Sequence, residues 1–174
     1  MKSSTNKLVL TAILSAFAMI TFLLESLLPP LFIPGARLGL SNLFILFALI
    51  ALGTKSAIIV FAVKIIFGSI FAGNISTLMY SLPSGILSLM VEIILFNLLN
   101  KKLSLPAISV SGAVVNVTIQ NIVYVLVTKT PRLIIYLPYL ATVSLFTGFI
   151  VGAICLLLTR YFPLEKFKGT QDII

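Results

Sequence analysis

The sequence predicts an all-α membrane protein, a compact bundle of six transmembrane helices in a single domain over residues 1–174. Hydrophobic residues make up 60% of the chain and charged residues only 9%, and the mean hydropathy is +1.22. Soluble domains carry roughly 25% charged residues. Six apolar segments follow one another along the chain, and a helix needs about 20 such residues to cross the bilayer core. These observations indicate an integral membrane protein with no room for a soluble domain.

The breaks between the apolar segments set the predicted helix ends. Pro29 and Pro30 end the first helix, and Gly53 marks a tight turn after the second helix, which is short. Pro138 lies near the start of the long sixth helix and predicts a kink or tilt there, because proline removes a backbone donor. The six predicted helices cover about residues 8–28, 38–52, 56–71, 83–99, 107–127 and 133–162.

The basic residues predict how the bundle is oriented. Six crossings put both termini on one side of the membrane. If that side is the cytoplasm, most of the 12 lysines and arginines lie on it, Lys64 lies within the membrane, and Arg37, Lys129 and Arg132 lie outside. This is the positive-inside pattern, so we expect cytoplasmic termini. Because these residues are scattered over helix ends, the net charge of +8 predicts contacts with the lipid bilayer and no nucleic-acid partner.

The sequence offers few ligands for a metal ion. It has no histidine and one cysteine, Cys155, which lies in an apolar run. A disulfide within one chain is therefore excluded, and we expect no metal and no other cofactor.

The most irregular stretch is PGARLGLSN, from Pro34 to Asn42. A bilayer offers no partner to free backbone groups, so irregular backbone at its edge must be buried in protein or must line a wet cavity. Arg37 adds a permanent charge with five donors, which predicts an entry site for an anionic solute. The alternative is an ordinary interfacial loop whose arginine meets lipid phosphates. Arg37 could also pair with Glu25, unless Glu25 is held by backbone N–H groups.

Two charges are expected inside the membrane. Lys64 follows Lys55, and Glu92 precedes Lys101, by the same number of residues, and both flanking lysines mark the cytoplasmic edge. Lys64 and Glu92 should therefore lie at similar depth on neighbouring helices. A charge near the bilayer centre costs at least about 2.5 kcal/mol, so we expect a buried pair that fixes helix packing. A binding or coupling role for these charges is the alternative.

Three amides are expected in the outer half of the fifth helix. Asn116 and Gln120 are one helical turn apart and share a face, with Asn121 beside them. Such amides can join helices through hydrogen bonds, or they can line a binding site, and their depth matches that of the irregular stretch. The candidate solute-binding residues are Arg37, Asn42, Asn74, Asn116, Gln120 and Asn121.

Small residues recur at four-residue spacing on two helices. Ala12 and Ala16 do so on the first helix, and Gly148 and Gly152 on the sixth. Such pairs let helices approach closely.

Four motifs together resemble one family of small bacterial membrane proteins. They are ESLL at residues 25–28, PGARLGLSN, the Gly73-Asn74 break, and YLPY at residues 136–139. The family is the Gx transporter family, also called heptaprenyl diphosphate synthase component I, and the resemblance spans about residues 8–160. That family is similar to the S-components of energy-coupling factor (ECF) transporters. These six-helix proteins bind a vitamin or similar solute from outside and dock on a shared transmembrane coupling subunit with two ATPase subunits.

The resemblance implies a location in the bacterial cell membrane and a binding pocket in the outer half of the bundle. It also implies that Ala12 and Ala16 match a small-residue motif for docking the partner. The family commonly carries arginine where this chain has Lys64, which keeps the charge but places a bidentate role there in doubt.

The synthase name is tested by the chemistry of prenyl transfer, which uses aspartate-rich motifs to hold magnesium on a diphosphate. This chain has one aspartate, Asp172, and its glutamates are dispersed, so we expect that it is not an enzyme. It also lacks a G-x-x-x-x-G-K-[ST] motif, so energy must come from partners. We therefore expect the solute-binding subunit of an ECF-type importer for a small anionic organic solute or vitamin. The alternatives are a non-catalytic accessory subunit linked to heptaprenyl diphosphate or quinone synthesis, and a self-sufficient facilitator.

Overall fold

A computed structural model describes residues 2–27, 39–73, 76–99 and 103–161. Within these ranges the chain is helical and has no strand, which confirms the all-α membrane bundle. Five helices are long and apolar enough to cross a membrane. The helices are α1 (Lys2–Leu27), α2 (Asn42–Leu52), α3 (Thr54–Phe71), α4 (Ser76–Leu99), α5 (Leu105–Thr128), a 3-10 helix (Pro131–Tyr136) and α6 (Leu137–Tyr161).

The short helix α2 lies at the centre of the bundle. It has 11 residues, of which most are buried, and at 1.5 Å per residue it spans only about 16 Å. A helix that is apolar on all sides is stable where protein surrounds it. The second helix was predicted from about residue 38, and residues 28–38 lie outside the described ranges.

A single glycine joins α2 to α3. Gly53 has φ 91° and ψ 175°, a conformation that side chains other than glycine rarely adopt. Its N–H donates to the carbonyl oxygens of Ala48 and Leu49 at 3.1 and 3.2 Å. The backbone therefore reverses direction within one residue, and α2 and α3 pack as an antiparallel pair.

The start of α4 differs from the prediction. The sequence predicted a helix from Pro83, but α4 begins at Ser76 and contains Pro83 in its interior. Proline removes one backbone hydrogen bond, and in membranes such breaks are tolerated because neighbouring helices and Ser or Thr side chains satisfy the freed groups. Pro83 leaves the Met79 carbonyl oxygen without its helical donor, and near it the Ser84 hydroxyl donates to the Ser81 carbonyl oxygen at 3.2 Å. Treating Pro83 as a helix start was wrong.

The start of α6 also differs from the prediction of about residue 133. The 3-10 helix ends at Tyr136 and α6 begins at Leu137. Pro138 therefore lies in the first turn of α6, where its missing N–H would have no partner within the helix. The change from 3-10 to α-helix falls between Tyr136 and Leu137, just before Pro138.

Two groups of three helices make up the bundle. Helices α1, α2 and α3 pack on one another, and α5 packs extensively on α4 and α6. Between the groups, α2 packs on α6, whereas α3 and α4 touch only lightly. Glycines on α6 allow the close approach to α5: a Cβ on Gly152 would lie 2.5 Å from the Pro106 Cα, and one on Gly148 would lie 2.9 Å from the Val110 Cα. The close approach predicted from the Gly148 and Gly152 spacing is confirmed.

Candidate functional site

A small polar cavity lies between the two groups of helices. Its volume is about 30 Å³. One wall comes from α1, the start of α2 and α3, and the opposite wall from α4 and α5. Five residues singled out from separate parts of the sequence line it together, namely Glu25, Asn42, Lys64, Asn116 and Gln120.

Glu25, in the last turns of α1, holds the start of α2. Its carboxylate accepts a hydrogen bond from the Leu40 N–H and one from the Ser41 hydroxyl at 3.3 Å. The N-terminus of a helix carries unpaired N–H groups and a partial positive charge, so a carboxylate is stabilising there. Gly39 precedes this contact at φ 74°, in the left-handed region that glycine adopts without strain. Of the two arrangements considered for Glu25, the structure gives it a backbone N–H partner.

Lys64 extends its ammonium group into the same wall. Its side chain is 7% exposed, and Nζ donates to Asn42 Oδ1 at 2.6 Å. The Phe22 ring centroid lies 5.9 Å from Nζ, within the range of a cation–π interaction. Asn42 and Lys64 are equally far along the chain from Gly53, so the antiparallel α2–α3 pair brings them to the same depth. A short bond between an ammonium and an amide oxygen is charge-assisted and therefore strong.

Glu92 is buried between α4 and α5. It is 5% exposed, and a Cβ on Gly112 would lie 2.2 Å from Glu92 Oε1, so α5 approaches the carboxylate closely. The nearby Ser88 hydroxyl donates to the Gly112 carbonyl oxygen at 2.8 Å. Lys64 and Glu92 are both buried, but the hydrogen bond that places Lys64 is the one to Asn42, and a direct Lys64–Glu92 pair stays a prediction.

The remaining candidates divide into three cases. Asn116 and the buried Gln120 line the cavity. Asn121 is also buried, at 4% exposed, but does not line it, so this geometry gives no support to its predicted solute contact. Arg37 and Asn74 lie outside the described residues.

A family model described as heptaprenyl diphosphate synthase component I matches residues 14–158. The chain belongs to this family. The match begins within α1 and ends within α6, so it includes every residue that lines the cavity. No curated protein and no solved structure gives a match.

Sequence reasoning missed the cavity wall formed by α4. Ser81, Ser84 and Gly85 line it, on either side of Pro83, and Phe61 of α3 packs against Gly85. Isolated serines in an apolar helix carry little signal by themselves. The available signal was the SLPSG sequence, in which hydroxyls flank a proline that frees a backbone group.

The protein also has a groove on its outer surface, between α1 and α3. This α1–α3 groove has a volume of about 650 Å³ and is lined by Ala12 and Ala16, with Lys7 toward one end. Both alanines are exposed. The structure therefore places the predicted docking residues on an open surface that lies on the same side of α1 as α3.

The cavity offers hydrogen bonds and charge. Its polar groups are carboxamides, hydroxyls, one ammonium and the Glu25 carboxylate. Within the described ranges, no group of three or more acidic, cysteine or histidine residues is arranged to hold a metal ion. This chemistry suits the binding of a polar molecule.

Proposed function

We propose that this protein is the solute-binding subunit of an ECF-type importer that takes up a small anionic organic solute or vitamin across the bacterial cell membrane. The observation that carries the proposal is the polar cavity, in which residues from distant parts of the chain converge inside an apolar bundle. Polar and charged side chains in a membrane are costly and usually mark a path or site for a solute. The protein acts by binding and performs no catalysis itself.

The cavity is too small for an organic solute, so binding requires the cavity to widen. A volume of about 30 Å³ holds about two water molecules, whereas ligand pockets usually measure about 300–1,000 Å³. An organic solute therefore binds only if the walls move apart. The two helix groups also meet where α2 packs on α6, but α3 and α4 touch only lightly, so we expect the walls to move apart between α3 and α4.

The α1–α3 groove supports the part of the proposal in which the protein docks on a transmembrane coupling subunit. Ala12 and Ala16 are exposed one helical turn apart on α1, and small residues allow another transmembrane helix to approach closely. The occupant we assign to the groove is an apolar helix of the transmembrane coupling subunit, which in turn carries the two ATPase subunits.

A second candidate function rests on the family description. A non-catalytic accessory subunit linked to heptaprenyl diphosphate or quinone synthesis agrees with the name of the matching family. It would use the same exposed surfaces to hold a soluble prenyl synthase at the membrane.

Purification from native membranes in mild detergent separates these functions. Mass spectrometry of the copurifying proteins should find a transmembrane coupling subunit and two ATPases, and analysis of copurifying small molecules should find an organic anion. A soluble prenyl synthase in their place would establish the accessory role. Recovery of the chain with no partner would leave a self-sufficient facilitator.

Docking is tested with bulky substitutions in the groove. Ala12→Trp and Ala16→Trp should abolish copurification of the coupling subunit while the small molecule stays bound, because the tryptophan ring fills the space for the partner helix. Leu126→Trp is the matched control, since Leu126 is 70% exposed on α5 and lies outside the groove. If both alanine variants retain the partner, the groove is not the docking surface.

A further inference from the structure

Three buried side-chain atoms in the described ranges have no hydrogen-bond partner. They are Ser69 Oγ, Ser81 Oγ and Asn121 Oδ1. A buried polar group without a partner destabilises a fold, and such groups are rare enough that each calls for a reason. Of these three, Ser81 alone lines the polar cavity.

The position of Ser81 in α4 places its hydroxyl in the wall of the cavity. Ser81 is 8% exposed and lies in the turn before Pro83, within the α4 wall of the cavity. The neighbouring Ser84 donates its hydroxyl proton to the Ser81 carbonyl oxygen, so that proton is already used inside the helix. On α4 the Ser81 hydroxyl therefore keeps its hydrogen-bonding capacity, and Asn116 and Gln120 of α5 line the same side of the cavity.

The opposite wall has its acceptors engaged. Asn42 Oδ1 accepts from Lys64, and the Glu25 carboxylate accepts from the Leu40 N–H and the Ser41 hydroxyl. A molecule entering the cavity thus meets a hydroxyl donor on α4, across from an ammonium group. Such a pair of donors suits an oxygen acceptor, as in a carboxylate, phosphate or carbonyl group.

We propose that Ser81 is a solute-contacting residue whose hydroxyl donates a hydrogen bond to an acceptor oxygen of the bound solute. This assignment rests on the proposed function, because it takes the cavity as the place where the solute binds. It makes the proline turn of α4 the inner wall of the site, which no part of the sequence pattern had assigned.

A thiol placed at this position tests whether a small organic anion reaches it. The probe is 2-sulfonatoethyl methanethiosulfonate, which carries a sulfonate group, modifies thiols from water and does not cross membranes. Ser81→Cys is made together with Cys155→Ala, since Cys155 is the protein's own thiol and is fully buried. Ser69→Cys in the same background is the matched control, because the Ser69 hydroxyl is also buried and unpaired but lies outside the cavity.

Added from outside to intact cells, the probe should modify the Ser81→Cys thiol at least about tenfold faster than the Ser69→Cys thiol, whose exposure requires local unfolding. Equal rates at the two positions overturn the assignment. If Ser81→Cys does not fold, Ser84→Cys on the same wall is labelled in its place. A labelling rate for Ser84→Cys equal to that of Ser69→Cys also overturns the assignment.

A stability measurement separates a binding role from a structural one. Ser81→Ala should leave the thermal transition of the purified protein unchanged or raised, because no hydrogen bond is lost. Ser88→Ala should lower it, because Ser88 donates to the Gly112 carbonyl oxygen. A drop for Ser81→Ala equal to that for Ser88→Ala would show that the hydroxyl has a structural partner. If Ser81→Cys is labelled fast but no ATPase copurifies, Ser81 still lines a solute site and the protein is not an ECF-type importer subunit. The Ser81 assignment and the proposed function can therefore fail independently.

Discussion

Replacing Asn42 by alanine should lower the free energy of unfolding by about 1.5–3 kcal/mol, the usual worth of a hydrogen bond to a charged group. The geometry of the Asn42–Lys64 hydrogen bond explains the size of this loss in stability. Asn42 Oδ1 lies 2.6 Å from Lys64 Nζ, and Lys64 is only 7% exposed, so bulk water does not take the place of the lost acceptor. The ammonium group stays in the bundle with one strong contact fewer.

The assay is a double-mutant cycle on the detergent-solubilised protein, unfolded with sodium dodecyl sulfate and followed by circular dichroism. In a Lys64→Met background the ammonium is gone, so Asn42→Ala should cost less than about 0.5 kcal/mol. Asn97→Ala is the matched control, because Asn97 is exposed on α4, and it should be nearly neutral in both backgrounds. If Asn42→Ala costs the same with and without Lys64, the bond contributes nothing and the reasoning fails.

Three further predictions concern charge and topology. Lys64→Met and Glu92→Leu should each destabilise the protein by about 3–5 kcal/mol while the double variant recovers most of the loss; a double variant as unstable as the worse single one would disprove the pair. Thiols introduced by Ser3→Cys and Thr170→Cys should resist membrane-impermeant reagents in intact cells, and labelling at either position from outside would rule out cytoplasmic termini. Arg37→Ala should weaken binding of the copurified solute, by calorimetry, by the equivalent of about 2–5 kcal/mol, and Arg37→Lys by less; affinities within about twofold of the parent for both would make Arg37 a lipid anchor.

The helices could be predicted from the sequence because a bilayer leaves the backbone few choices. Any apolar segment of sufficient length must satisfy its own hydrogen bonds, and a helix does so. The same constraint explains the error at Pro83. In water a proline at this place would end or begin a helix, but within the bundle α4 continues through it, since leaving the helix would expose more unpaired groups than the proline does.

The burial of the two charges could be predicted, but direction around each helix could not. The sequence predicted Lys64 and Glu92 inside the bundle, and both are buried, while their equal depth in the membrane stays a prediction. Successive residues of a helix point about 100° apart, however, and a level does not specify which neighbour a side chain faces. The Lys64 ammonium bonds to Asn42, and Gln120 lines the cavity while the adjacent Asn121 does not.

The role of Ser81 was out of reach for a different reason. A serine in an apolar helix usually bonds to its own backbone, as Ser15 and Ser111 do here. Only the three-dimensional contacts reveal that Ser81 does not.

The short central helix has a consequence for how the protein is made. Alone, α2 is too short to span a bilayer of about 30 Å, and its burial depends on α1, α3 and α6, which surround it. Helix α3 follows after Gly53 alone, so the membrane insertion machinery must handle α2 and α3 as one hairpin. Helix α2 can reach its final place only after α6 has been synthesised, because α6 covers part of it. We therefore expect chains truncated before residue 137 to insert into the membrane but to leave α2 accessible to proteases, so that the cell degrades these chains.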